Sequence, residues 1–283
     1  MDLPGDYESM LRLPPPSILL GLVGARREPP GPDAIRTALG QAGVEVGEIR
    51  EPRGLVSPSS LWELGFELRW PEREPHFVSI WVEPSPRALV EPLVEGRLGG
   101  RDLTDEVRGL ARESRYAIGV AAGFDAHPLL DFHRQLALVH AITPELALLV
   151  DTDALEVRAP SWLNETAIAE VPPSPRSLYS VHAVAGDDQG HPEDTPIWLH
   201  THGLLRCGCI ELDMVDVPRA ASTLCADLLH TVAAMFLEYG VPPPDEPFLA
   251  GQDLELVWMP WEQAMGRLGR NVVGDRSDRD TYR

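Results

Sequence analysis

Residues 63–70 alternate polar and apolar side chains, and this pattern restricts the chain to folds that contain a half-buried sheet. Successive side chains of a β-strand point to opposite faces, so the leucine, phenylalanine and tryptophan side chains of this run would face a core. A proline-flanked turn at 71–75 leads to a second strand-like run at 76–82. The two runs predict an antiparallel hairpin.

Helix and strand patterns alternate along the first half of the chain. Further strands are predicted at 18–23, 44–49 and 116–122, and helices at 34–41 and 104–112. The order strand, helix, strand, strand, helix, strand resembles a ferredoxin-like sandwich. We therefore predict an α+β fold with antiparallel or mixed sheets, helices packed on one face, and a ferredoxin-like first half.

A proline-rich run at 172–175 is the clearest internal boundary, because dense proline favours an extended connector. The predicted parts are a disordered lead-in at 1–16, an N-terminal α+β sandwich at 17–171, a C-terminal α+β subdomain at 176–268 and a tail at 269–283.

Groups that could bind a metal or move a proton are densest in residues 197–213, which hold two of the nine histidines and two of the three cysteines. A strand is predicted at 197–205. Alternation along that strand would place Trp198, His200 and His202 on one face.

A second strand predicted at 207–215 would form a hairpin with the first. His200 and His202 would then lie near Cys209 and Glu211 if the polar faces coincide. His182, on a strand predicted just upstream, could point toward the same face. Three converging histidines would suit a zinc site.

Four further residues complete that hypothesis. Glu211 would be a general base or a fourth ligand, and Cys207 or Cys209 an alternative ligand. Arg206 would contact an anionic substrate. The spacing matches neither C-x-x-C nor H-E-x-x-H, so the favoured interpretation is that the histidines are structural, hydrogen-bonded groups beside a buried Trp198.

Asp151 and Asp153 directly follow a buried-type strand predicted at 146–150. Two neighbouring aspartates could bind a cation, but capping of the following turn is the expected role.

The runs at 178–184, 198–204, 206–208 and 211–212, with the sequence W-L-H-T-H-G-L at their centre, resemble the signature of a bacterial family called domain of unknown function 4026. The resemblance extends from the first predicted strand to the last helix. It implies no particular reaction, cofactor or catalytic residue. Asp213 stands where a second glutamate is expected, which keeps the carboxylate.

The formal net charge is −20, and all 24 basic residues are arginine. Nucleic-acid binding needs clustered positive charge, so this acidic balance argues against it, and it argues equally against an anionic membrane surface. An acidic surface fits a basic protein partner. The N-terminus lacks the basic and apolar regions of a signal peptide, and no run approaches the roughly 20 apolar residues of a membrane span.

Three cysteines cannot all pair, so a disulfide framework is not expected and a cytoplasmic location follows. The sequence predicts a soluble bacterial protein that acts as an acidic binding or regulatory module. The alternative is a metal-dependent hydrolase that uses the His200/His202 hairpin.

Overall fold

The computed structural model of the protein describes residues 14–24, 28–50, 60–69, 75–95, 103–143, 145–185, 196–251 and 254–267. The predicted tail at 269–283, and residues 1–13 of the predicted lead-in, lie outside the described residues. Helices and antiparallel sheets make up the described structure, which confirms the α+β class.

A seven-stranded antiparallel sheet forms the centre of the chain, in the order β2-β3-β4-β5-β1-β6-β7. Its strands are β1 (Ser17–Val23), β2 (Glu45–Arg50), β3 (Trp62–Arg69), β4 (His76–Pro84), β5 (Tyr116–Ala122), β6 (Leu146–Asp151) and β7 (Glu156–Arg158). The predicted hairpin is confirmed, because β3 pairs with β4 from Trp62 opposite Val82 to Leu68 opposite His76.

The strand order differs from a ferredoxin-like sheet. That arrangement would place the last strand at an edge beside the first, whereas β5 lies between β4 and β1. On one side of β5, the strands β2, β3 and β4 pair in chain order, but on the other side β1 pairs with β5 and β6, which lie far from it in sequence. Such pairings are set by tertiary packing and not by the local order of helices and strands.

Five helices accompany this sheet within the described residues. They are α1 (Pro32–Gln41), α2 (Arg87–Val94), α3 (Asp105–Glu113), α4 (Pro128–Ile142) and α5 (Pro160–Ala167). The helical pattern does not reveal α2, which contains Pro92, a residue that normally ends helices.

Helices cover both faces of the sheet, so the prediction of helices on one face is wrong. Leu20 and Leu22 of β1 pack in one buried cluster with Val90 of α2 and Ala111 of α3. On the opposite face of β1, a Cβ at Gly21 would meet the Thr143 side chain, at the end of α4. Strands buried on both faces need a helix layer on each side.

A three-stranded antiparallel sheet follows, in the order β10-β9-β8. Its strands are β8 (Ser180–Ala185), β9 (Ile197–His202) and β10 (Asp213–Val217). The predicted hairpin of β9 and β10 is present, but β10 begins at Asp213 and not at residue 207, because Leu205–Cys207 form a turn of 3-10 helix.

The chain divides into two compact units, residues 1–229 and 230–283. The first unit contains both sheets described so far, and so includes residues on both sides of the predicted 172–175 boundary. That boundary stays a prediction.

A long helix, α6 (Ser222–Tyr239), contains the division between the two units. The segment Arg219–Tyr239 has the length and apolar composition of a membrane-spanning helix, and 22% of its most apolar stretch is buried. This segment contradicts the expectation that no run approaches such a length, because it carries few charged side chains. They are Asp227, Glu238 and Arg219. Core helices pass the same test.

The second unit also holds the two-stranded sheet of β11 (Phe248–Leu249) and β12 (Glu255–Leu256), and helix α7 (Trp261–Arg267). Phe236 and Phe248 pack with ring centroids 5.6 Å apart. The Trp258 indole donates to the Pro242 carbonyl at 2.9 Å. These contacts hold the end of α6 against the small sheet within this unit.

Candidate metal centre

Three histidines lie on one face of the three-stranded sheet. His182 of β8 is directly opposite His200 of β9 in the antiparallel register, and Ser180 is opposite His202. Side chains two residues apart on a strand share a face, so His200 and His202 point the same way. One ligand atom of each histidine lies within 4.8 Å of the others. We call these residues the three-histidine cluster.

The imidazole rings are packed closely. The ring centroids of His200 and His202 are 4.7 Å apart, those of His182 and His202 5.0 Å, and those of His182 and His200 5.9 Å. Trp198 extends the cluster along β9, with its ring centroid 4.5 Å from that of His200. The cluster is therefore bordered by an indole ring on one side.

The donor set and spacing fit a tetrahedral transition-metal site. Zinc binds imidazole nitrogen at about 2.0–2.1 Å, so two ligand atoms on one ion lie about 3.4 Å apart. The ligand atoms lie within 4.8 Å of one another, so side-chain rotations would have to bring them closer to bind one ion. Three histidines leave one tetrahedral position for water or a substrate, as in catalytic zinc sites.

The environment of His182 suits a ligand. Burial lowers the pKa of His182, while a hydrogen bond to the Ala154 carbonyl opposes that shift. The result favours the neutral imidazole, which is the form that binds metals. Metal-ligating histidines usually donate their other ring N–H to a carbonyl or carboxylate, and the Ala154 carbonyl supplies such an acceptor.

Asp213 is a residue that the sequence analysis did not place in the site. It lies opposite His200 in the pairing of β9 with β10, and its Oδ1 accepts a hydrogen bond from the Trp198 indole at 2.9 Å. The carboxylate thus holds the ring that packs on His200. Knowing that β10 begins at Asp213 would have predicted its pairing with His200, but no pattern in the sequence marks the start of that strand.

Glu211 is directed to other partners than the histidines. Its carboxylate accepts hydrogen bonds from the Thr201 hydroxyl at 2.7 Å, from Gly203 N–H at 2.8 Å and from Leu205 N–H at 3.2 Å. Thr201 alternates with His200 and His202, so it points to the opposite face of β9. The prediction that Glu211 lies beside the histidines is wrong, because the carboxylate caps the turn after β9.

Arg206 is enclosed by protein and cannot contact a substrate as the sequence analysis predicted. Its side chain is 0% exposed, and its guanidinium donates to both carboxylate oxygens of Asp151, at 2.9 and 2.8 Å. It also donates to the Ser17 hydroxyl at 3.0 Å and to the Leu178 carbonyl at 2.7 Å. The bidentate pair makes Arg206 a structural residue.

Cys207 and Cys209 do not belong to the three-histidine cluster. Burial raises the pKa of Cys207 to about 12 and that of Cys209 to about 11. Metal binding and nucleophilic attack both need the thiolate. Both cysteines are therefore held as thiols here, and Cys207 Sγ donates to the Gly203 carbonyl at 3.8 Å.

Asp151 takes the capping role that its sequence predicts. Its Oδ1 accepts hydrogen bonds from the backbone N–H groups of Asp153 and Ala154, at 3.2 and 3.0 Å. Asp153 Oδ2 accepts from the Ile18 N–H at 2.7 Å and lies 3.7 Å from Arg206 Nη1. The two aspartates thus cap backbone groups and balance the buried arginine.

Comparison with known families gives one consistent result. Residues 83–173 match the N-terminal part of the family described as protein of unknown function DUF4026, and residues 181–283 match its C-terminal part. Comparisons with curated proteins and with solved structures gave no match. The two matched segments together span well over half of the chain, which therefore belongs to the DUF4026 family.

Proposed function

We propose that the protein binds a divalent transition-metal ion, with zinc as the first choice, through the three-histidine cluster. The main support for this proposal is that His182, His200 and His202 place their ligand atoms within 4.8 Å of one another on one sheet face. Three imidazoles select zinc, copper, iron or nickel over magnesium and calcium, which prefer oxygen ligands.

The alternative is that the three rings pack as neutral aromatic groups without an ion. Two features favour a ligand role. The Ala154 carbonyl accepts a hydrogen bond from the His182 ring, as the partners of metal-bound histidines usually do. His182 and His202 are only partly buried, so an ion and water can reach them.

Metal-dependent hydrolysis is the reaction class that this site would support. A three-histidine zinc site leaves a position for water, whose pKa the metal lowers to about 7. Glu211 is engaged in capping a turn, so any proton transfer would need another group. Asp213 is the carboxylate that the pairing of β9 with β10 places directly opposite His200.

The first test is the metal content of protein purified without a metal-binding tag. We expect about one ion per chain in the wild type and none in the His200→Ala/His202→Ala variant. His133→Ala is the matched control, because His133 bonds to the Thr166 carbonyl at 2.8 Å and lies outside the cluster. A double variant that keeps its metal, or a wild type that takes up none from added zinc, would exclude the proposal.

The hypothesis that the protein is a hydrolase is tested separately. Zinc-loaded wild type should hydrolyse at least one of a panel of ester, phosphoester and amide substrates faster than the double histidine variant does. If the wild type and the double histidine variant hydrolysed every substrate at equal rates, the site would bind a metal without catalysing hydrolysis.

A second candidate function is an acidic binding or regulatory module. Its support is the net charge of −20, with 44 acidic residues against 24 arginines. Electrostatic complementarity favours a basic protein partner and makes the association salt-dependent. Co-purification from the native host at about 0.15 M salt should recover a basic protein that high salt releases. Recovery of no such protein would count against this function.

A further inference from the structure

A hydrogen-bond relay connects the buried arginine to the candidate metal centre. Asp151 Oδ1 accepts from Arg206 Nη1 at 2.9 Å and also from the Ala154 N–H at 3.0 Å, so one carboxylate oxygen serves both groups. Asp151 is 4% exposed and Arg206 0%. The backbone of Ala154 is therefore tied to the ion pair through its N–H.

The carbonyl of Ala154 is the acceptor that reaches the three-histidine cluster. It accepts hydrogen bonds from the Ser180 hydroxyl and from the His182 ring. Ser180 and His182 lie on the same face of β8, opposite His202 and His200. The Ala154 carbonyl thus contacts the two residues of β8, Ser180 and His182, that lie opposite the histidines of β9.

Arg206 also holds the two strands of the cluster close to this turn. Its Nη2 donates to the Leu178 carbonyl at 2.7 Å, just before β8. Gly203, just after β9, adopts a φ of +109°. A Cβ at Gly203 would lie 2.5 Å from the Leu178 carbonyl oxygen and 3.4 Å from the Ala154 Cα. The close contact requires glycine and brings the end of β9 against the same turn.

We propose that Asp151 is a positioning residue for the metal ligand His182, acting through the Ala154 carbonyl that fixes the orientation of the His182 ring. This inference rests on the proposed metal-binding function. An acceptor held by a buried ion pair selects which ring nitrogen carries the proton and leaves the other for the metal. Loss of such outer partners typically lowers metal affinity about 10- to 100-fold.

The test uses cobalt as the probe, because the visible absorption of Co²⁺ reports its coordination geometry as well as its affinity. The variant is Asp151→Asn, whose amide oxygen can still accept from Ala154 N–H but no longer neutralises Arg206. We expect its Co²⁺ affinity to fall about 10- to 100-fold, with an altered absorption spectrum. A purely structural role would lower stability and leave the spectrum of the folded fraction unchanged.

Asp131→Asn is the matched control. Asp131 is buried, accepts from the Asp125 N–H at 3.0 Å and pairs with Arg134 at 2.8 Å, so it combines a backbone cap with an ion pair as Asp151 does. It belongs to α4 and not to the cluster. This variant should lose stability and keep the wild-type Co²⁺ affinity and spectrum.

Ser180→Ala is the second variant and decides the question if Asp151→Asn does not fold. It removes only the hydroxyl that donates to Ala154, and we expect a smaller change in affinity and spectrum in the same direction. Folded variants that bind Co²⁺ within twofold of wild type, with unchanged spectra, would overturn the inference while the metal site stands. A wild type that binds neither Co²⁺ nor Zn²⁺ would overturn both.

Discussion

At the scale of single residues, the Arg206 guanidinium has exchanged water for protein partners. Its charge is balanced by Asp151, and its carbon Cζ lies 4.8 Å from the centroid of the Phe132 ring. Desolvating such a pair costs several kcal/mol per ion, which the bidentate geometry offsets. Removing Arg206 would leave the buried Asp151 carboxylate without its counter-ion, and removing Asp151 would leave only Asp153, 3.7 Å away, to balance the guanidinium.

Asp153 should make stability depend on pH. Burial raises the pKa of Asp153 to about 6, although Arg206 opposes the shift. The folded protein therefore binds this proton more tightly than the unfolded chain, whose carboxyl has a pKa near 3.9. The stabilising contribution is complete below the unfolded value and is lost as the pH rises through about 6.

We expect Asp153→Asn to raise the free energy of unfolding at pH 8 by about 2–3 kcal/mol and to change it little at pH 4. The amide oxygen can still accept from Ile18 N–H. Urea unfolding at a series of pH values measures the effect, with the exposed Asp33→Asn as control. If the free energy of unfolding changed with pH in the same way for the variant and the wild type, the buried Asp153 carboxylate would not destabilise the fold at pH 8.

At the scale of structural elements, the turn after β9 depends on one carboxylate. Burial raises the pKa of Glu211, and its hydrogen bonds from Thr201 and the backbone of the turn lower it. The Thr201 hydroxyl in turn accepts from the Leu212 N–H at 2.7 Å. This chain of bonds connects the end of β9 to the approach to β10 on the face opposite the histidines.

Glu211→Ala should therefore lower the free energy of unfolding by about 2–3 kcal/mol, because two backbone N–H groups and a hydroxyl lose their acceptor. The folded variant should keep the wild-type metal content, since Glu211 is outside the three-histidine cluster. Denaturation and elemental analysis on the same preparation measure both effects. A folded variant that has lost its metal would instead restore Glu211 as a ligand.

The pairing of β4 with β5 depends on the absence of a side chain at one position. Gly119 is directly opposite Trp81, and a Cβ at Gly119 would lie 2.1 Å from the indole. Trp81 is 4% exposed and belongs to the buried cluster beneath α2 and α3. The indole therefore lies across the strand at the place that glycine leaves open.

We expect Gly119→Ala to lower the free energy of unfolding by roughly 2–3 kcal/mol through overpacking. Gly109→Ala is the matched control, because Gly109 lies in α3 with no atom within 4 Å of its added Cβ. That change should raise stability by about 0.5–1 kcal/mol, since alanine favours helix. Urea unfolding compares the two variants, and equal effects would contradict the packing argument.

At the scale of the whole molecule, a net charge of −20 must be accommodated in the folded state. Mutual repulsion of the acidic groups destabilises a compact chain, and salt weakens it. The arginine pairs within the first unit, such as Arg206 with Asp151 and Arg134 with Asp131, neutralise acidic groups locally. The remaining excess of carboxylates should still affect stability.

Raising sodium chloride from about 0.01 M to about 0.5 M should increase the free energy of unfolding in urea at pH 8, because the Debye length falls to a few ångströms. The same addition near pH 4 should have a smaller effect, since many carboxylates are then protonated. Destabilisation by salt at pH 8 would show that attractive ion pairs outweigh the repulsion.

Local patterns predicted much of the fold. The alternation in residues 63–70 predicted β3 and its hairpin with β4, and the apolar run at 18–23 predicted β1. Alternation along β9 predicted the shared face of His200 and His202, and His182 was expected only as a candidate neighbour until the register of β8 with β9 placed it opposite His200. The periodicity of apolar residues indicates which face of a strand or helix a side chain lies on, and a few neighbouring residues are enough to show it.

The sequence by itself thus determined the α+β class, most strands and helices, and the shared face of His200 and His202, whereas the register of β8 with β9 placed His182 on that face. Only the tertiary structure decided the strand order, the helices on both faces, and the partners of Glu211 and Arg206. Arg206 and Asp151 are 55 residues apart in sequence, so no local pattern joins them. The start of β10 after a non-repetitive turn set the register that places Asp213 opposite His200, and such a register depends on packing across the whole sheet.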